Sequence, residues 1–226
     1  MCNKKEVIKM KEKEEIKEIL EALADCDFTE FRSYTFRNEV VSDFRDSYKK
    51  PFNWDEGATK GVLIFDTLGF VIKLPYRGDY YDPDEGLEEF CGANTQNGWD
   101  YCEAEEYYGN KADEYGVGNC FAKTISLGTV NGHPVYYQEI VESFSSVGSS
   151  SHSREEIDEM EDKVSSFYNN DIDLDWLCDA YDYHGEEIFY QFMGFIENFS
   201  INDLHNGNIG YIGMKPVVLD YSCWHD

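Results

Sequence analysis

Two carboxylates and one amide near the end of the sequence have the side-chain chemistry of a phosphate-transferring site. Asp203 is followed five residues later by Asn208, and Asp220 comes twelve residues after that, closing the apolar run Val217–Leu219. In phosphoryl transfer, one carboxylate orients and deprotonates the attacking hydroxyl, while an amide and a second carboxylate hold the magnesium that neutralises the phosphates. The order and spacing of these three residues predict a site of this kind.

The motif D-L-H-N-G-N at residues 203–208, followed by an apolar strand and an Asp, resembles the catalytic core of the protein-kinase-like superfamily. The resemblance implies that Asp203 is the catalytic base, Asn208 a magnesium ligand and Asp220 the principal metal carboxylate, with ATP and Mg²⁺ as cofactors. His205 matches the D-L-H variant of aminoglycoside, choline and many prokaryotic kinases, where the histidine organises the loop. The alternative interpretation is an Asn/Gly turn followed by a hydrophobic strand that Asp220 caps.

The segment Phe70–Leu74, with the letters FVIKL, resembles the kinase strand V-A-I-K, whose lysine binds the phosphates of the nucleotide. The resemblance implies that Lys73 has this role and that a helix glutamate orients it. Glu103 and Glu106 share one helix face, Glu105 points elsewhere, and Glu103 is the favoured partner. The alternatives are an exposed lysine and an ordinary acidic helix face.

The segment Tyr136–Glu142, followed by a Ser-rich stretch, resembles the kinase hinge, where backbone groups bind the adenine edge. The matching positions are Glu139 and Val141, and Gln138 is then the gatekeeper. The same letters are compatible with a plain strand.

The sequence also departs from the family pattern. Ile201-Asn202 stands where the family has His-Arg, Tyr221-Ser222 replaces Phe-Gly, and only Gly57 remains convincing in the glycine-rich loop. The resemblance covers roughly residues 55–222, and the sequence stops before an activation segment. We therefore expect an α+β, two-lobed protein-kinase-like fold with a β-rich N-lobe and a truncated helical C-lobe lacking the activation segment. The expected domains are an N-terminal helical extension (1–52), the N-lobe (53–142) and a minimal C-lobe with the catalytic loop (143–226).

Apolar periodicity and turn residues predict the secondary structure. The predicted helices cover residues 4–24, 39–48, 100–115, 154–168, 176–183 and 186–199. The predicted strands are 61–65 with 70–74, 121–127 with 134–141, and a hairpin after the catalytic loop. Residues 76–99 are predicted to form an irregular insertion, and residues 143–153 a Ser-rich linker.

Composition excludes several classes of protein. The 226 residues have a formal net charge of −27, with 17 acidic and three basic residues after Glu142, and this balance argues against nucleic-acid binding, which needs clustered Lys and Arg. Apolar stretches long enough to cross a membrane and a secretory leader are not found in the sequence. Seven irregularly spaced cysteines favour free thiols in a reducing cytoplasm, with most of them in the core.

The function expected from these patterns is ATP- and magnesium-dependent phosphotransfer by a minimal protein kinase of the bacterial-effector or phage type, acting on a protein hydroxyl. The alternative is a pseudokinase or acidic inhibitor that binds a basic partner, such as a nucleic-acid-handling enzyme, without catalysis. Neither alternative involves direct contact with nucleic acid or membrane.

Overall fold

The computed structural model describes residues 4–29, 31–57, 59–76, 79–82, 86–91, 101–144, 152–167, 172–201 and 203–221. The chain is α+β and divides into two compact units. Unit 1 comprises Met1–Asn94 and Ser126–Tyr137, and unit 2 comprises Thr95–Ile125 and Gln138–Asp226.

Unit 1 packs N-terminal helices and a sheet around one aromatic core. Its helical elements are α1 (Lys4–Leu23), α2 (Ser33–Thr35), a π-helical turn (Phe36–Val40) and α3 (Val41–Ser47). Ile19 of α1, Phe36 and Phe44 are buried in the same apolar cluster as Leu63 and Ile72 of the sheet. These helices bury apolar side chains against the strands, and residues 1–52 fall in the same compact unit as Leu63 and Ile72.

The main sheet has the strand order β1-β2-β3-β7-β6. Its strands are β1 (Asn53–Glu56), β2 (Lys60–Phe65), β3 (Phe70–Pro75), β6 (Ile125–Val130) and β7 (His133–Glu139). The strands β4 (Asp79–Asp82) and β5 (Gly86–Cys91) pair in a separate two-stranded sheet. The expectation that residues 76–99 are irregular is therefore wrong for these two strands, whose letters, DYYD and GLEEFC, lack the apolar–polar alternation that would have predicted a hairpin.

Unit 2 contains a helical core. Its helices are α4 (Tyr101–Glu114), a 3₁₀ turn (Gly118–Cys120), α5 (Arg154–Val164), α6 (Leu174–His184) and α7 (Glu186–Asn198). Ala104 and Tyr108 of α4 lie in the same buried cluster as Trp176 and Phe192. This packing assigns α4 to unit 2, whereas the sequence placed it in the N-lobe. The helix α5 is capped by a reciprocal pair of hydrogen bonds between Ser153 and Glu156.

A second sheet in unit 2 has the order β10-β9-β8. Its strands are β8 (Glu142–Ser143), β9 (Ile209–Ile212) and β10 (Lys215–Val218). β9 and β10 form the hairpin predicted after the catalytic loop. The strand β8 occupies the start of the expected Ser-rich linker, and residues 145–151 of that linker lie outside the described residues.

Four cysteines have side chains that the structure describes, and all four are buried: Cys26, Cys102, Cys120 and Cys178. The prediction that most cysteines are core residues is confirmed for these positions. Within the part of the chain that the structure describes, none of the helices is both long and apolar enough to cross a membrane.

Candidate functional site

The loop that carries Asp203 is anchored by apolar side chains on both sides of the carboxylate. After α7, the amide of Ile201 donates to the carbonyl of Ile196 at 3.0 Å. Ile201 and Leu204 are both buried, while 41% of the Asp203 side chain is exposed. The backbone of the loop is thus held by the core of unit 2, and the carboxylate of Asp203 reaches solvent.

Asn208 is bonded directly to Asp203. Its Nδ2 donates to the backbone carbonyl of Asp203 at 2.7 Å and to the carboxylate Oδ2 at 3.2 Å. Both partners are oxygens that accept hydrogen bonds, so the amide nitrogen must face them. Because the nitrogen bonds to Asp203, the amide oxygen Oδ1 points away from Asp203.

The β9–β10 hairpin brings Asp220 back to this loop. Ile209, at the start of β9, pairs with Val218, at the end of β10, and the amide of Leu219 donates to the carbonyl of Asn208 at 2.9 Å. Asp220 is the next residue. Asn208 and Asp220, twelve positions apart in sequence, therefore flank the same open end of the hairpin.

His205 bonds within the loop. Its Nδ1 accepts a hydrogen bond from the amide of Gly207 at 2.9 Å, and its Nε2 lies 3.7 Å from Oδ1 of Asp203. The carbonyl of His205 also accepts from the amide of Asn208 at 2.8 Å. These contacts stabilise the turn that brings Asn208 within hydrogen-bonding distance of Asp203.

The donor set fits magnesium held together with phosphates. In the described part of the chain, no three His, Cys, Asp or Glu side chains form a cluster that could hold a metal ion. The expected ligands, Asn208 and Asp220, are one amide and one carboxylate. Magnesium binds oxygen ligands, and in nucleotide sites one or two carboxylates suffice because water and phosphates complete the octahedron.

Lys73 and Gly57 lie in unit 1. Lys73 stands in the middle of the β2–β3 ladder, paired with Val62, and is only 3% exposed. A buried ammonium group carries a desolvation penalty, so Lys73 is not the ordinary exposed lysine of the alternative interpretation. The amide of Gly57 donates to the carbonyl of Lys60 at 3.0 Å, and a Cβ at Gly57 would meet that oxygen at an ordinary 3.7 Å. The structure thus shows no steric need for glycine at position 57.

The helix α4 directs Glu105 into the interior of unit 2. Glu105 is 0% exposed and accepts a hydrogen bond from Oγ1 of Thr124, whereas the side chain of Glu103 is exposed. The pairing of Lys73 with Glu103 stays a prediction, but the inward-facing acid of α4 is Glu105. Counting from Tyr101 and Tyr108 at helical spacing would have placed Glu105 on the buried face.

The expected hinge positions lie at the end of β7, where Glu139 is the last residue of the strand, and two residues beyond it at Val141. Glu139 is exposed and Val141 is half-buried, and β8 begins directly after them. Gln138, by contrast, is 2% exposed and donates from Nε2 to the carbonyls of Ala122 and Leu219. The sequence named Gln138 only as a gatekeeper, and its letters carry no signal for these two contacts.

The structure therefore brings Asp203, Asn208 and the segment containing Asp220 together within unit 2. Comparison with known proteins gave no match to a family model, to a curated protein or to a solved structure.

Proposed function

We propose that this chain is an ATP- and magnesium-dependent phosphotransferase of the protein-kinase-like type that phosphorylates a protein hydroxyl, within a two-lobed fold of that family. The observation that supports the proposal most strongly is the bonding of Asn208. Its amide nitrogen holds Asp203, and its backbone carbonyl holds Leu219, the residue before Asp220. Asn208, itself a proposed magnesium ligand, thereby connects Asp203 to the segment that carries Asp220, and phosphoryl transfer requires two carboxylates of this kind.

The proposed roles follow from the atoms that each residue presents. Asp203 accepts the proton of the attacking hydroxyl, whose oxygen forms a bond to the γ-phosphorus as the bond to ADP breaks. The hydrogen bond from Asn208 orients this carboxylate. Asp220 and Oδ1 of Asn208 would hold magnesium, which supplies charge neutralisation at the phosphates. The buried ammonium of Lys73 supplies a further positive charge for phosphate.

The test uses the full chain with γ-labelled ATP and magnesium in a cell lysate, beside the variants Asp203→Asn, Asp220→Asn and Lys73→Met. Each substitution keeps side-chain size close to the original and removes one charge. Removing a preorganised electrostatic group from an active site costs about 10²–10³ in rate, so each variant should lose at least that factor in label transfer.

Glu197→Gln is the matched control. Glu197 is an exposed carboxylate on α7, the helix that leads into the Asp203 loop, and its loss changes net charge equally. Label transfer by Glu197→Gln should equal that of the wild type. Absence of transfer by the wild type, together with absence of a nucleotide-induced thermal shift, contradicts the proposal.

A second function, binding of a basic protein without catalysis, is favoured by charge and by one cavity of unit 2. The cavity, of about 440 Å³, is lined by Glu142, Asp179, Asp182 and Tyr183 among others, and by none of the predicted catalytic or metal-binding residues. Carboxylates and a phenol ring suit a cationic side chain. Complex formation that weakens steeply with salt and is indifferent to Asp203→Asn and Asp220→Asn would identify this function.

A further inference from the structure

The segment that carries Asp220 is fixed by hydrogen bonds from outside its hairpin. The ladder of β9 and β10 ends at the pair Ile209 and Val218, so Asp220 lies beyond the last paired position. The carboxylate of a metal-binding residue must keep its position to within a fraction of an ångström to keep its affinity. Something other than the ladder must therefore hold residues 219–221.

Gln138 holds the residue before Asp220. Its Nε2 donates to the carbonyl of Leu219 at 3.0 Å and to the carbonyl of Ala122 at 2.9 Å. The amide of Leu219 is already bonded to the carbonyl of Asn208. Leu219 is thus held through its N–H on one side and through its C=O on the other.

Tyr221 holds the residue after Asp220. It is 1% exposed, its ring centroid lies 4.9 Å from that of Phe121, and its hydroxyl donates to the carbonyl of Ala122 at 3.0 Å. A Cβ at Gly109 of α4 would stand 3.0 Å from this hydroxyl, so glycine leaves the room that the phenol occupies.

The side chains of Gln138 and Tyr221 donate hydrogen bonds to the same backbone carbonyl. The oxygen of Ala122 accepts from Gln138 and from Tyr221, and the amide of Ala122 donates to the carbonyl of Val218 at 2.8 Å. Ala122 therefore bonds to the side chains of Gln138 and Tyr221 through its carbonyl and to Val218 through its amide.

Three acceptors lie around the amide nitrogen of Gln138. Besides the carbonyls of Leu219 and Ala122, Oγ1 of Thr124 accepts from Nε2 at 3.2 Å, while the hydroxyl hydrogen of Thr124 is donated to Glu105. Carbonyl oxygens only accept, so the nitrogen of Gln138, and not its oxygen, faces Leu219 and Ala122, and its two hydrogens are shared among the three acceptors. Thr124 and the buried Glu105 extend this group of hydrogen bonds within unit 2.

We propose that Gln138 and Tyr221 are positioning residues that hold the Asp220 carboxylate in place for magnesium. The inference rests on the proposed function, because magnesium binding by Asp220 belongs to it. Neither residue touches the reacting atoms; both act through the backbone of Asp220.

The test measures the magnesium dependence of nucleotide binding, read as the ATP-induced thermal shift at increasing Mg²⁺. Tyr221→Phe removes one oxygen and keeps the ring, and Gln138→Met keeps the side-chain length and removes the donors. Loss of one anchoring hydrogen bond should raise the Mg²⁺ midpoint about fivefold to tenfold in each variant. Hydrogen exchange of the peptide covering residues 215–221 should accelerate in parallel.

Tyr211→Phe is the matched control. Tyr211 is also a largely buried tyrosine of this hairpin, and its hydroxyl donates to Asp179. Its loss should lower the melting temperature without moving the Mg²⁺ midpoint. Asp203→Asn, a change at the proposed base, should abolish label transfer.

Three outcomes separate the claims. A raised midpoint in Tyr221→Phe, with Tyr211→Phe unchanged, supports the positioning role even if Gln138→Met fails to fold. Equal midpoints in the wild type and Tyr221→Phe overturn it while leaving the proposed function intact. If ATP does not change the melting temperature of the wild type at any Mg²⁺ concentration, the proposed function is overturned, and the positioning role with it.

Discussion

The hairpins β2–β3 and β9–β10 carry predicted functional residues in different ways. β2 and β3 pair over six positions, and Lys73 lies inside that ladder opposite Val62. β9 and β10 pair over four positions, and Asn208 and Asp220 lie outside the ladder, one at each flank of its open end. The position of Lys73 is set by the strand itself, whereas the position of Asp220 depends on side chains from other elements.

The two hairpins therefore fix the positions of their predicted functional residues by different contacts. A residue within a ladder has paired neighbours on both sides, which fix its position in the strand. The position of the strand in turn depends on the apolar core beneath the sheet. A residue beyond a ladder needs its own bonds, which are few and individually important. The first hairpin should therefore respond most to changes in its core, and the second to changes in polar or backbone contacts.

The largest effect is expected from Ile72→Ala in β3. Ile72 is fully buried beside Lys73, so truncation leaves a cavity and should cost about 4 kcal/mol of unfolding free energy. Urea unfolding and hydrogen exchange over residues 60–75 measure the loss. Ile125→Ala, at a half-exposed site on β6, is the matched control and should cost well under half as much. A loss below about 1 kcal/mol for Ile72→Ala would contradict the role assigned to the core.

The next largest effect is expected from Gly210→Ala in β9. A Cβ there would stand 2.2 Å from the carbonyl oxygen of Glu142, a backbone atom that cannot swing away. Opening the β8–β9 pairing to admit the methyl group should cost about 3 kcal/mol. Gly194→Ala in α7 is the control, because nothing lies within 4 Å of its Cβ position and alanine favours a helix. If both variants are equally stable, the close contact does not restrict β9.

A smaller, pH-dependent effect is expected at His152, which supports β9 through Asp179 and Tyr211. Burial lowers the pKa of His152, but the hydrogen bond to Asp179 and the charges of Asp175 and Asp182 outweigh it, so the pKa is raised above 6.5. A raised histidine pKa contributes stability that is complete below 6.5 and is lost as pH rises through the folded value. His152→Asn should therefore lose about 1.5 kcal/mol at pH 5.5 and much less at pH 8.5.

His184 tests the sign of this prediction. Burial lowers its pKa, so the folded chain favours neutral His184, and its contribution is lost as pH falls below 6.5. His184→Asn should thus flatten the acid side of the stability profile, and His152→Asn the alkaline side. Urea midpoints measured from pH 5 to pH 9 distinguish the two. Identical profiles for both variants would refute the assignment.

The smallest effect is expected at the two turns. Gly69 and Gly213 both have positive φ, of 80° and 64°, and open space around their Cβ positions. Alanine at either site should cost about 1 kcal/mol through backbone strain alone. Equal losses, read from urea unfolding, would show that the hairpins differ in their cores and flanks and not in their turns. A much larger loss of unfolding free energy for alanine at Gly213 would show that the two hairpins differ in their turns.

The sequence allowed the local elements to be predicted well. The runs 61–65 and 70–74 match β2 and β3 within a residue, because both are rich in β-branched and aromatic residues around a short Gly-containing turn. The apolar helix predicted before Asp203 matches α7 within a residue, and β9 and β10 form the hairpin predicted after the catalytic loop. The strands predicted at 121–127 and 134–141 are displaced, since β6 covers Ile125–Val130 and β7 covers His133–Glu139.

The contacts that depend on distant residues could not be predicted. Gln138 reaches Ala122 and Leu219, 16 and 81 positions away, and one glutamine letter carries no information about either partner. Glu105 was placed off the face that Glu103 and Glu106 share, but its burial was not predicted, because the acids of α4 were compared with one another and not with its apolar stripe.

The buried thiols allow the opening of each unit to be followed chemically. Burial, with a contribution from Asp43 and Asp25 at Cys26, raises the pKa of Cys26 and of Cys120 to about 12. At pH 8 only about one thiol in 10⁴ is then the reactive thiolate, so alkylation of the closed molecule is negligible. Cys26 belongs to unit 1 and Cys120 to unit 2. Their separate labelling rates, read by peptide mass, would therefore time the transient unfolding of the two units independently within a single unmodified chain.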